Sequence, residues 1–178
     1  GNMKSDGGSI MYKGKDLCRE SIRENRELGI AHVPEDRNLN GCAPQMSVRD
    51  NLIAAGLERF SKHKILDEKA INQYCEECVE EFAVKTSSLD ISIKSLSGGN
   101  VQKAIVAREF TAGADVIVLN QPTRGVDVGA MEFIHKKILE MRDEDKSLLL
   151  VSADLAELKA LSDRIIVFYQ GKVVGVLD

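Results

Sequence analysis

Leu96-Ser97-Gly98-Gly99-Asn100-Val101-Gln102-Lys103, followed by Val116-Ile117-Val118-Leu119-Asn120-Gln121-Pro122-Thr123-Arg124-Gly125-Val126-Asp127, is the part of this chain that says most about its fold. In the first segment a serine and two glycines precede a helical pattern that runs to about Thr111. Glycines let a backbone approach a ligand closely, and the free N–H groups at a helix start favour an anion such as phosphate. The Ser97 hydroxyl adds one further hydrogen-bonding group. Taken alone, the same residues also fit an ordinary loop before a capped helix. The second segment is a buried apolar strand that ends in polar residues. Such a strand delivers those residues to the carboxyl edge of a sheet, where α/β proteins place their ligands.

Outward from this centre, strands and helices alternate. Leu148–Val151 reads as a second buried strand, Ala130–Met141 and Leu155–Leu161 as helices, and Ile165–Tyr169 and Val173–Leu177 as strands joined at Gln170-Gly171. Upstream, a strand is expected at Ser9–Tyr12, a turn at Lys13–Asp16, a short helix over Cys18–Arg26 ended by Gly29, and a buried strand at Ile30–Val33. The middle third is helix-rich, with Ser47 expected to cap Val48–Phe60 and Asp67 to cap a helix through Phe82. The pattern predicts an α/β fold on a mostly parallel sheet, with a helical subdomain set into it. The expected division is 1–41 as the first part of the core, 42–112 as the helical subdomain, and 113–178 as the rest of the core.

Composition bounds the function. The 178 residues carry 24 basic and 28 acidic side chains, a net charge of −4, which speaks against a general nucleic-acid clamp. Trp is absent and aromatics are 4%, so stacking on bases has little to work with. A 43% hydrophobic share can bury a core, and only three prolines argue against disorder. No stretch approaches the roughly 18 continuous apolar residues of a membrane span. Gly1–Gly8 is polar and reads as flexible, without the pattern of a secretory signal.

Cys75-Glu-Glu-Cys78 could suggest metal or redox chemistry. Ile71, Cys75, Cys78, Val79 and Phe82 nevertheless share one helical face, so the cysteines are expected as small core hydrophobes in a reducing compartment. His32, His63 and His135 stand far apart on different elements and lack metal-ligand spacing. Glu76, Glu77, Glu80 and Glu81 read as a solvated helix face.

In order and spacing the chain resembles the ATP-binding domain of ABC transporters, most of all the C-terminal ABC domain of importers for simple sugars and nucleosides. The residues that carry the resemblance are Val33-Pro34-Glu35-Asp36-Arg37, Met46-Ser47-Val48-Arg49-Asp50-Asn51-Leu52, Leu96-Ser97-Gly98-Gly99-Asn100 and Pro122-Thr123-Arg124-Gly125-Val126-Asp127-Val128-Gly129-Ala130. It implies a P-loop NTPase fold of the ABC type. Leu96–Asn100 takes the place of the signature, Val116–Asp127 that of Walker B and the D-loop, Ser152–Asp154 that of the switch loop, and Val33–Glu35 that of the Q-loop. The nucleotide-binding residues implied are Ser97, Gly98, Gly99, Asn100, Gln102, Asp127 and Glu35. Arg49–Leu52 would face a coupling helix of the membrane subunit, or else is an ordinary amphipathic helix start.

The resemblance also exposes departures. A Walker A needs Gly-x4-Gly-Lys followed by Ser or Thr, and no such run occurs. Gly14-Lys15 comes nearest, but Ser9 stands at the first glycine and Asp16 at the hydroxyl position. The family pattern places the P-loop upstream of Gly8, so the chain is expected to be a truncated piece of a longer, tandem ABC protein. Asn120 stands at the Mg²⁺-supporting carboxylate, Gln121 at the catalytic glutamate and Ala153 at the switch histidine. An amide takes no proton and brings no charge to a metal, and the loss of a general base costs about 10²–10⁴-fold. Amides at 120 and 121 would also suit an engineered ATP trap; Ala153 favours natural divergence.

The resemblance therefore implies ATP and Mg²⁺ as ligands of the longer parent, with none held tightly by this piece, and no intact catalytic residue or metal site in it. Its implied partners are a second ABC domain packed head to tail, transmembrane permease subunits and, indirectly, a substrate-binding protein, but no nucleic acid. The implied location is peripheral, on the cytoplasmic face of the cell membrane. Self-association is expected if the missing strand and helix leave apolar sheet uncovered. A non-transport ABC-fold ATPase or a nucleotide-free interaction scaffold is the alternative; long coiled-coil insertions or a basic arm would favour the former.

Overall fold

A computed structural model of the chain describes residues 5–62 and 65–178. The readings made on Gly1–Lys4 and on His63 lie outside the described residues. The chain opens with a hairpin of β1 (Met11–Tyr12) and β2 (Lys15–Asp16). Its turn residues, Lys13 and Gly14, have φ of 47° and 78°, which matches the right-handed twist of paired strands. The next helix, α1 (Ile22–Glu27), begins later than its sequence suggests. The Ser21 hydroxyl accepts from the Glu24 N–H while the Glu24 carboxylate accepts from the Ser21 N–H, and this reciprocal cap sets the start.

After β3 (Ile30–Val33), Asp36 caps a π-helical turn, Arg37–Gly41, that sequence periodicity did not disclose. Ser47 and Asp50 cap α2 (Val48–Ile53) reciprocally. The expected single helix to Phe60 is broken at Gly56, with φ −155° and ψ 39°, and resumes only as a 3₁₀ turn at Leu57–Phe60. A hairpin of β4 (Ser61–Lys62) and β5 (Ile65–Leu66) follows, then α3 (Glu68–Glu81), capped by Asp67 as expected. A 3₁₀ turn at Ile93–Ser95 leads into α4 (Gly98–Phe110). The last part runs β6 (Val116–Asn120), α5 (Val128–Asp143), β7 (Ser147–Val151), α6 (Leu155–Leu161), β8 (Ile165–Tyr169) and β9 (Lys172–Leu177).

The central sheet is parallel, in the order β3-β6-β7, with Ala31 beside Ile117 beside Leu148 and Val33 beside Leu119 beside Leu150. That face is closed. Ala31, Val33, Ile117 and Leu119 are all 0–1% exposed and join one core with α4, α5 and the helices of the middle third. Cys75 and Cys78 belong to this core, at 0% and 2% exposure. Burial pushes the Cys75 thiol up to about 12, so it behaves as a small hydrophobe, as its helical spacing suggested. Phe82 and Phe110 meet edge to face at 6.3 Å, joining the ends of α3 and α4.

The opposite face of the sheet is open. It carries Ile30, His32, Val118, Leu149 and Val151, and the last two are 56% and 48% exposed. A groove of about 960 Å³ runs along it between β3, β6 and the α1 region. β8 and β9 form a separate antiparallel hairpin whose Phe168, Tyr169 and Val174 are 66%, 65% and 59% exposed.

Candidate functional site

The start of α4 is built from short polar links. Ser97 is exposed, and its Oγ accepts from the Asn100 backbone N–H at 3.4 Å and from Asn100 Nδ2 at 2.9 Å. The Asn100 Oδ1 in turn accepts from the Lys85 N–H at 2.9 Å, so this amide is engaged on both sides. Gly99 is buried, and a Cβ there would lie 2.8 Å from Asp127 Oδ2 and 3.0 Å from Ala130 Cβ. A Cβ on Gly98 would lie 2.8 Å from an Arg37 terminal nitrogen. Gly99 is thus tightly enclosed by the chain itself, quite apart from any ligand, while a side chain at Gly98 would have to displace the Arg37 guanidinium. Gln102 is 3% exposed and donates from Nε2 to the Pro122 carbonyl at 2.7 Å, so it acts as a pin between α4 and the loop after β6.

That loop is held at successive residues by different elements. Thr123 Oγ1 donates to Glu157 of α6 at 2.7 Å, and the same carboxylate oxygen bonds His135 of α5 at 2.8 Å. Arg124 pairs with Glu35, and Arg37 donates to the carbonyls of Arg124 at 2.7 Å and Gly125 at 3.0 Å. Asp127 caps α5 through the Ala130 N–H at 2.9 Å, and this hydrogen bond holds its carboxyl below the usual range. Gly98, Gly99, Gln102, Glu35 and Asp127 are therefore joined through one loop, whereas Ser97 and Asn100 bond to each other and, through Asn100, to Lys85.

Asn120, Gln121 and Ala153 lie at the carboxyl ends of β6 and β7. Asn120 is the last residue of β6, in register with Val151. Gln121 turns the chain with a φ of 52°, donates its N–H to the Val151 carbonyl at 2.8 Å, and accepts on Oε1 from the Ala153 N–H at 3.3 Å. Gln121 and Ala153 are thus in direct contact.

Residue spacing does not show that Arg37, Glu157 and His135 help to hold this loop. Arg37 stood inside a motif already singled out, but spacing gives no sign of which carbonyls a long side chain will reach. Nor does spacing show that Arg49–Leu52 is largely spent internally. Arg49 pairs with Glu68 and Asp90, Asp50 caps α2, Asn51 is 4% exposed and bonded to Ala43, and Leu52 is 1% exposed. What lies beside them is an open groove of about 570 Å³, lined by Gly41, Met46, Ile53, Leu57, Arg26 and Arg108 among others.

A protein-family model described as ABC transporter matches residues 1–124. The chain belongs to the ABC transporter family. This ABC chain is 41% identical, over all of its length, to the nucleoside import ATP-binding protein NupA of Lactococcus lactis subsp. cremoris, covering 36% of that protein. It is 36% identical over its whole length to the guanosine import ATP-binding protein NupO of Bacillus subtilis, covering 35%. It is 38% identical over 96% of its length to the xylose import ATP-binding protein XylG of Photobacterium profundum, covering 34%. The chain thus spans about a third of the length of the curated relatives it matches. Among solved structures, a dimeric ATP-binding cassette in a post-hydrolysis state with ADP and Pi superposes with a TM-score of 0.82. That match covers 99% of this chain and 75% of the other at 18% identity, which establishes the ABC fold.

Proposed function

We propose that this ABC chain is part of the ATP-binding subunit of an importer for sugars or nucleosides. In this reading it supplies the signature to ATP held by a second ABC domain, packed head to tail, while its own Walker B and switch side is degenerate. The relatives named for nucleoside, guanosine and xylose import support the substrate class. Their greater length supports a parent with further domains.

The observation that carries the reading is the contrast between two edges of the molecule. At one edge, exposed Ser97 caps the start of α4 beside the Asp127 cap of α5, where a helix's first N–H groups lack intrahelical acceptors. These groups suit phosphate oxygens presented from outside, because the donors are preorganised and the helix end is positive. At the other edge stand Asn120, Gln121 and Ala153, which offer amides and a methyl group. None can accept the proton of an attacking water or neutralise a metal. Asn120, Gln121 and Ala153 bring no carboxylate to this edge, so these residues do not fit Mg²⁺, which prefers charged oxygen ligands. The chain's part is to bind and orient phosphate from the partner's side. The partners are a second ABC domain and transmembrane permease subunits, with a substrate-binding protein acting through the permease. The working place is the cytoplasmic face of the cell membrane.

Calorimetry of the chain with Mg·ATP tests the division. The expected result is no tight binding, because the chain has no Walker A run to cradle the β- and γ-phosphates. A micromolar dissociation constant would overturn it.

A further inference from the structure

Arg37 occupies a flat slot between two glycines. A Cβ on Gly98 would lie 2.8 Å from its NH2 nitrogen and 3.4 Å from its Cζ, and a Cβ on Gly125 would lie 3.6 Å from NH2 and 3.7 Å from NH1. The two terminal nitrogens divide between consecutive carbonyls, NH1 to Arg124 and NH2 to Gly125. Arg124 reaches back across the same gap to Glu35. The 35–37 and 124–125 segments are therefore latched in both directions, with the α4 start lying against the latch. A planar guanidinium matches this slot, whereas a lysine carries a single point charge and cannot serve two carbonyls in a plane. A cation beside the positive end of α4 gains nothing from the helix dipole, so the carbonyls are what hold it there.

We propose that Arg37 is a positioning residue whose fork sets the spacing between the α4 start and the Gly125–Asp127 loop. Its importance for ATP rests on the reading above, in which these two pieces together face the partner's phosphate. The residue touches neither nucleotide nor reacting water. It acts through Gly98 on one side and through the Arg124 and Gly125 carbonyls on the other. Gly125, one of the two carbonyl residues that bind the guanidinium, has a φ of 64°, in the left-handed region that favours glycine.

Backbone amide exchange on the 178-residue chain tests the latch, read at Asn100, Val101, Arg124 and Val126, whose N–H groups are bonded to Ser97, Gln121 and Thr123. Arg37→Lys and Arg37→Ala should each speed exchange at these amides by about fivefold or more, with the β8–β9 hairpin unchanged. Protection restored to the wild-type level by Arg37→Lys would overturn the requirement for a fork. Gly98→Ala should speed exchange in the wild type and add nothing in Arg37→Ala, because the slot is then vacant. Equal effects of Gly98→Ala in both backgrounds would overturn the contact. In the longer subunit, Arg37→Lys should lower kcat several-fold with little change in the KM for ATP. Faster exchange with unchanged kcat would refute the phosphate-facing reading and leave the latch standing; lower kcat with unchanged exchange would refute the latch.

Discussion

Gly99 and Asp127 approach so closely that a Cβ on the glycine would stand 2.8 Å from the aspartate Oδ2. The contact joins the first turn of α4 to the residue that caps α5. Gly99→Ala should push Asp127 off the Ala130 N–H, at a cost of about 1–2 kcal/mol from the lost cap and local overpacking. Gly99→Asp should be worse, because it sets a second carboxylate against the first. Denaturant unfolding measures the order, and a Gly99→Asp variant as stable as wild type would contradict it. In the longer subunit the same change should abolish ATP hydrolysis at the partner's site, which an ATPase assay reads.

The Gln121–Ala153 contact leads to a different expectation. Gln121→Glu keeps an oxygen in place to accept from the Ala153 N–H, so the fold should tolerate it. Asn120→Asp together with Gln121→Glu should change turnover of the reconstituted transporter little, because Ala153 still supplies no imidazole. A many-fold rise in ATPase rate would mean that this edge is one step from a working site.

Glu109 is 0% exposed and lies between Arg26 at 3.0 Å and Arg108 at 2.8 Å. It also accepts from the His32 backbone N–H, tying α4 to β3. Glu109→Ala leaves Arg108 buried without its counter-charge and should cost about 3 kcal/mol, at the lower end for a broken buried pair since Arg26 is partly solvated. Chemical denaturation at neutral pH checks it, and a loss below about 1 kcal/mol would place the stabilisation elsewhere.

Burial pushes the His32 imidazole below its ordinary value of 6.5, with the Arg26 charge acting the same way and Glu109 against it. The folded chain therefore holds this proton less tightly than the unfolded chain. Stability should rise with pH through the window just below 6.5 and level off above it, and acidification should remove it. Denaturation midpoints measured across about pH 5 to 7 should show this slope in the wild type and a smaller one in His32→Gln.

The open sheet face and the β8–β9 hairpin present apolar side chains and unpaired edges to solvent, with Leu149 at 56% and Phe168 at 66% exposure. Such surfaces favour self-association. Light scattering should find dimers or larger species, and a clean monomer over a wide concentration range would contradict this.

The fold class was legible from residue order alone, because its evidence is local. Short continuous apolar runs marked β3, β6 and β7; Ser47 and Asp67 marked helix starts; and Leu96–Asn100 and Pro122–Ala130 carried the family. The amides at 120 and 121 and the alanine at 153 could likewise be read directly, since a missing proton acceptor is a property of the residue itself. The early end of α2 at Ile53, the π-helical turn at Arg37–Gly41 and the partners of long side chains could not. It takes the packed chain to show that Gln102 pins Pro122, that Glu157 gathers Thr123 and His135, and that Arg37 lies between Gly98 and Gly125. These contacts join residues far apart in the chain. Their energy changes with displacements of about an ångström, which no local periodicity encodes.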